Sequence, residues 1–162
     1  MTQYAKPNYG DLKRVELGRE LATPELDYWH TVKEIPELSL TGQVVHGFNR
    51  GSKELGIPTA NIEMTDENLD KLKHQCLGVY VGWVEFIKDV PEQTGAIVGE
   101  KFKAAMNIGY CPKYDNKEKT AEVYFLHEFP TDFYGSTISV KSSHFLRSEI
   151  DPAGLDYLIM AI

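Results

Sequence analysis

From Thr41 onward apolar residues alternate with polar ones, and this period of two limits what the chain can become. GQVVHGF, GVYVGWVEFI, FKAAMNIG, TAEVYFLHEF and STISVKSSHFL are five β-type segments rich in Val, Tyr, Phe and Ile. IPTANIEM supplies a sixth, short strand. KDVPEQTGAIVGE, YCPKYDNKEK and PTDFYGS are turn-rich and separate the strands. One helix is predicted at TDENLDKLKH, capped by Thr65, with Leu69 and Leu72 turned inward. So many short strands with so few helices between them exclude a doubly wound parallel sheet. An antiparallel barrel or sandwich with a flanking helix is the economical answer.

The two ends of the chain read differently. Residues 1–38 form an extension, polar before Thr23 and then helical in pattern. Thr23-Pro24-Glu25 offers a hydroxyl cap, proline at the first helical position and an acid in the first turn. Leu26, Trp29 and Val32 then face the body of the protein. A second helix starts with Asp151 as cap and Pro152 behind it, and Leu155, Leu158, Ile159 and Ile162 recur at helical spacing. The sequence stops at Ile162 without a capping glycine or basic last turn, which predicts a chain cut inside its last helix.

A length of 162 residues fits one domain with a proper core. The net charge of −7 argues against a protein whose main task is gripping nucleic-acid phosphates, while leaving room for a local anion site. No apolar run is long enough for a membrane span, and the N-terminus has no apolar segment of a secretory leader. Cys76 and Cys111 stand far apart without CxxC spacing. Free thiols in a reducing, cytoplasmic setting follow, with no zinc cluster and no membrane partner. A barrel of this size can bury its own core, so a monomer is expected.

GFNRGSKELGIPTAN, Gly47 to Asn61, resembles a P-loop at Gly51-Ser52-Lys53 and then departs from one. Gly47 and Gly51 stand one residue too close, Ser52 separates Gly51 from Lys53, and Pro58 blocks the helix that a P-loop needs. The ingredients still suit an anion. The glycines let backbone N–H groups curl around oxygen atoms, Arg50 and Lys53 add charge, and Ser52 adds a donor. A solvated glycine-rich hairpin is the competing reading. Thr59 and Asn61, two apart in an extended segment, point the same way. Their hydroxyl and amide carbonyl are neutral hard-oxygen ligands of the kind Mg²⁺ shares with substrate phosphates. The competing reading is a Thr/Asn pair bonding to a turn.

GQVVHGFNRGSKELGIPTAN is similar to the signature of riboflavin kinases (flavokinases), approximately G-x-V-x-x-G-x-x-R-G-x-x-L-G-[IFY]-P-T-A-N. GVYVGWV, NIGYCPKY, AEVYFLHEF, DFYG and FLR follow in the family's order. The resemblance covers Gly42 to Ile162 and assigns 39–162 to the kinase barrel. It implies a closed six-stranded antiparallel Greek-key barrel with a C-terminal helix. It also implies transfer of phosphate from ATP to riboflavin, giving FMN. The short stretch before Gly42 points to the monofunctional eukaryotic type rather than the bacterial bifunctional one.

ATP phosphates would lie under the glycine loop, with Gly47 and Lys53 at the nucleotide, and Thr59 and Asn61 would ligate Mg²⁺, with Zn²⁺ or Mn²⁺ as alternatives. Glu122 stands where the family places its glutamate and is the candidate general base. By alternation Glu122, Tyr124 and Leu126 share one strand face, and Val123, Phe125 and His127 the other. Phe125, His127 and Tyr134 correspond to family residues near the nucleotide. Arg147 matches an arginine on a flap near flavin and phosphates, where a guanidinium suits bidentate contact. Ser148 to Pro152 would neighbour the flavin ring, although Ile150 and Pro152 replace a more polar and aromatic run. A flavin- or nucleotide-binding barrel without catalysis is the alternative. Thr59, Asn61 and Glu122 together weigh against it, since binding alone needs neither metal ligands nor a base. A third reading, an interaction protein working through residues 1–38, is tested by truncation.

Overall fold

The structure is a computed structural model, and it describes residues 32–47, 59–110 and 118–148. Six strands follow one another: β1 (Lys33–Val45), β2 (Ala60–Ile62), β3 (Gly78–Lys88), β4 (Lys101–Tyr110), β5 (Lys119–Phe125) and β6 (Thr137–Ser148). Helix α1 (Asp66–Leu72) separates β2 from β3, and a short 3-10 turn, Glu92–Thr94, precedes β4. All strand pairs are antiparallel, and they close in the order β1-β2-β5-β4-β3-β6. β3, β4 and β5 form a meander, and β2 returns beside β5, which is a Greek key. Of the barrel or sandwich that the period-two pattern left open, the structure is the closed antiparallel barrel that the family resemblance implies. The helix starts at Thr23 and Asp151 lie outside the described residues, as does Cys111.

Alternation explains the core. Phe102, Ala104, Met106 and Ile108 of β4 point inward, as do Ala121, Val123 and Phe125 of β5. Tyr80, Val84 and Phe86 of β3, Ile138 and Val140 of β6, and Leu38, Leu40 and Val44 of β1 complete the interior. Burying each large apolar side chain contributes about 1.5–3 kcal/mol. One part of the core is aromatic: the Phe86 ring lies 5.6 Å from Phe125, 5.3 Å from Phe133 and 5.7 Å from Phe129. Most of these contacts are edge-to-face, the arrangement that ring quadrupoles favour.

β1 begins earlier than the sequence pattern indicates, so residues 33–38, assigned above to the extension, form its first part. Pro36 obscures that strand. Its missing N–H falls within the irregular stretch of the β1–β6 pairing between Glu34 and Leu38, where an interrupted ladder tolerates proline.

Helix α1 starts as expected, with the Thr65 hydroxyl accepting from the Asn68 backbone N–H at 3.2 Å and Asp66 and Glu67 in the first turn. Its inward face differs from the expectation. Asn68 and Leu72, four apart, are buried, and Leu69 is half-buried at the rim. Asn68 tolerates burial because its Nδ2 donates to the carbonyls of Thr41 at 3.0 Å and Glu63 at 3.1 Å. At the other end of the helix, Lys119 Nζ donates to the carbonyls of Leu72, Lys73 and Gln75. A cation there satisfies helix C-terminal carbonyls and opposes the dipole.

Candidate active site

The inward residues of β2 are Ala60 and Ile62, so Asn61 between them is carried on the outer wall of the barrel. The same alternation puts Glu122 of β5 and Asn107 of β4 on the outer wall, between inward Ala121 and Val123 and between inward Met106 and Ile108. Strand register then lines them up. Asn61 is opposite Glu122, Glu122 opposite Asn107, Asn107 opposite Val79, and Val79 opposite Arg147. One row crosses five strands, β2-β5-β4-β3-β6, and it contains the candidate metal ligand, the candidate base and the candidate flavin arginine. Its length is four strand spacings, about 19 Å along the curved wall.

Thr59, the residue before β2, closes one end of the row. Its Oγ1 donates to Glu122 Oε2 at 3.0 Å. A hydroxyl has one proton and two lone pairs, so this bond uses the proton and leaves oxygen lone pairs for another role. The pair joins two residues 63 positions apart in the chain. Among the described residues no group of three or more His, Cys, Asp or Glu side chains is placed to hold a metal ion. Thr59 and Asn61 instead offer neutral oxygen donors, with the Glu122 carboxylate beside them. That donor set fits Mg²⁺, which prefers hard oxygen and keeps several waters.

Gly47 borders the row at Asn61. A Cβ at Gly47 would overlap the Asn61 carboxamide, so the backbone after β1 packs directly on that side chain. His46, the preceding residue, stacks its ring on Tyr134 at a centroid distance of 3.7 Å and an interplanar angle of 26°. Tyr134 is brought there by a turn: Gly135 N–H donates to the Val44 carbonyl at 2.9 Å, and Val44 N–H to that of Ser136 at 2.8 Å. Gly135 takes the positive φ of 85° that this turn requires. The structure thus gathers Gly47, Thr59, Asn61, Glu122 and Tyr134 around the junction of β1, β2 and β5.

Other predicted residues sit elsewhere. Phe125 is 4 % exposed, packed among Phe86, Phe102, Phe129 and Phe133, and offers a ligand almost no surface. β5 ends at Phe125, so Leu126 and His127 fall on the bend after it, outside the alternation expected for them. The His127 ring is exposed and contacts Phe102 at 4.8 Å and Phe129 at 4.7 Å. Arg147 is 7 % exposed. Arg50, Gly51, Ser52, Lys53, Ile150 and Pro152 lie outside the described residues.

Sequence reasoning did not single out His46 or Asn107. The signal for Asn107 was partial: it is a polar residue on the outward face of FKAAMNIG, a face it shares with Lys103. His46 gave less warning, because its stacking partner lies far along the chain.

The chain matches known proteins in sequence and fold. The family model described as "Flavokinase: Riboflavin kinase" matches residues 36–162, and the chain belongs to that family. The riboflavin kinase of Mus musculus is 40% identical over 122 residues, 75% of this chain and 71% of the mouse protein. The bifunctional riboflavin kinase/FMN phosphatase of Arabidopsis thaliana is 39% identical over 140 residues. That match takes in 86% of this chain and 32% of the plant protein, so the chain spans about a third of that relative. The crystal structure of riboflavin kinase from Trypanosoma brucei superposes with a TM-score of 0.58 at 30% identity, covering 76% of this chain and 68% of that one.

Proposed function

We propose that the chain is an ATP:riboflavin 5′-phosphotransferase that yields FMN and ADP. The single observation that carries this reading is the hydrogen bond from Thr59 Oγ1 to Glu122 Oε2 at 3.0 Å, with Asn61 in register beside it. It joins an oxygen pair suited to a phosphate-bound cation to a carboxylate suited to an alcohol proton. The relatives named as riboflavin kinases supply the acceptor.

Glu122 accepts the proton of the riboflavin 5′-hydroxyl as its oxygen bonds to the γ-phosphorus. The bond from that phosphorus to the β–γ bridging oxygen breaks, and ADP leaves with the electron pair. Thr59 and Asn61 would hold Mg²⁺, which when bound neutralises phosphate charge. Gly47 keeps backbone close to Asn61, and Arg50, Ser52 and Lys53 would supply donors to the phosphates. His46 and Tyr134 present a stacked ring pair at the nucleotide side of the site. Arg147 lies at the opposite end of the row, where the flavin would extend. Positioning and charge neutralisation supply most of the acceleration, because phosphoryl transfer asks little covalent chemistry of the protein.

We place the reaction in the cytoplasm, carried out by a monomer. An exposed free thiol at Cys76 suits a reducing compartment. Among the described residues no helix is long and apolar enough to cross a membrane. Incubation with riboflavin, ATP and Mg²⁺, followed by chromatographic separation of flavins and nucleotides, tests the activity. Equal amounts of FMN and ADP are expected. Saturable riboflavin binding without FMN would replace the kinase with a binding module.

A further inference from the structure

The row has a direction, and that direction assigns a task to Asn107. Metal-ligand candidates occupy one end, at Thr59 and Asn61, and Glu122 comes next. A γ-phosphate delivered from the Asn61 side meets an acceptor oxygen at Glu122. The remainder of the acceptor then runs the other way, over Asn107 and Val79 toward Arg147. Asn107 is the first side chain it meets.

Glu122 and Asn107 are directly opposed on neighbouring antiparallel strands, so their Cβ atoms are about 4.5–5.5 Å apart. Both are half-buried on the outer wall. The Asn107 carboxamide offers two donors and an acceptor. Riboflavin ends in a ribityl chain, whose last two carbons each carry a hydroxyl. Two side chains at this spacing can bracket such a vicinal pair, one oxygen to each.

We infer that Asn107 is a specificity-determining residue that hydrogen-bonds the ribityl 4′-hydroxyl while Glu122 takes the 5′-hydroxyl. The inference rests on the kinase reading above. Asn107 fixes the rotation of the terminal C–C bond, so the 5′-oxygen points along the row at the phosphorus. A flavin whose side chain ends in a simple alcohol lacks this constraint and is phosphorylated poorly.

The test is a cycle of two enzymes and two acceptors: the parent and Asn107→Ala, each with riboflavin and with 4′-deoxyriboflavin. With riboflavin, Asn107→Ala is expected to lower kcat/KM by roughly 10- to 100-fold, the loss of one hydrogen bond at a polar site. The parent should lose a similar factor on the deoxy compound, and the variant should lose less than about threefold more. KM for ATP should stay unchanged. Equal losses for Asn107→Ala on both acceptors would reduce it to a structural residue, and a raised KM for ATP would move it to the nucleotide side. Either result overturns the inference. Asn107→Asp, which keeps the shape and an acceptor, covers the case in which the alanine variant does not fold. It should retain the preference for riboflavin over the deoxy compound, and loss of that preference also overturns the inference. A parent that makes no FMN would instead remove the kinase reading itself.

Discussion

Thr59 donates its hydroxyl proton to Glu122 across 3.0 Å, and this bond ties the end of the glycine loop to the middle of the barrel wall. The oxygen that gives the proton keeps its lone pairs, so Thr59 can serve a cation and the carboxylate together. A carboxylate held on one side by Thr59 presents its other oxygen to an acceptor in a fixed direction. Both consequences can be measured.

Replacing Thr59 with valine keeps the shape and removes the oxygen. The Mg²⁺ concentration for half-maximal rate should rise several-fold, and kcat should fall by roughly 10- to 100-fold. Asn61→Ala should raise the Mg²⁺ requirement with a smaller effect on kcat, because Asn61 has no bond to Glu122 among the described residues. A Mg²⁺ titration of the three enzymes decides this, and unchanged titrations would remove both residues from the metal site.

Gly47→Ala should weaken ATP binding, because the added methyl drives into the Asn61 carboxamide. KM for ATP is expected to increase by about tenfold or more, with KM for riboflavin changed little. Asn61→Ala in the same chain makes room for the methyl. The double variant should therefore show less than the sum of the two losses, which a cycle of ATP titrations reports.

Asn68→Ala should destabilise the barrel without touching the site. The carbonyls of Thr41 and Glu63 lose their buried donor, at a cost of about 1–3 kcal/mol. Thermal unfolding should move down by several degrees while kcat per folded molecule is unchanged.

Tyr80 sets an alkaline limit. Burial at 2 % exposure, helped by the neighbouring Cys76 thiol, pushes its phenol up to about 12, while its hydroxyl donates to the Cys76 carbonyl at 2.7 Å. In the unfolded chain the phenol titrates near 10.0. A raised folded value means the stabilisation is complete below pH 10 and is lost as pH rises toward 12. Denaturant midpoints measured across that window should fall in the parent and fall less in Tyr80→Phe.

Much of this was legible in the sequence, for identifiable reasons. Alternation in β4 and β5 declares both strand and facing, because each has one buried side and closure leaves one interior. β1 was legible only from Gly42, since Pro36 and its acidic neighbours disguise a strand whose ladder is interrupted there. Glu122 and Thr59 were separate signals, and only the β2–β5 pairing brings them together. Asn107 and His46 take their meaning from register and a distant turn, which a single sequence does not display. Asn68 was hidden by its polarity, because burial depends on two carbonyls contributed by other segments.

The most direct test of Glu122 as the base on the outer wall is the rate of FMN formation by Glu122→Gln beside the parent. Glutamine keeps an oxygen for Thr59 and cannot take a proton. A roughly 10²- to 10⁴-fold loss in kcat with riboflavin binding retained is expected. A variant that makes FMN at nearly the parental rate would contradict Glu122 as the base.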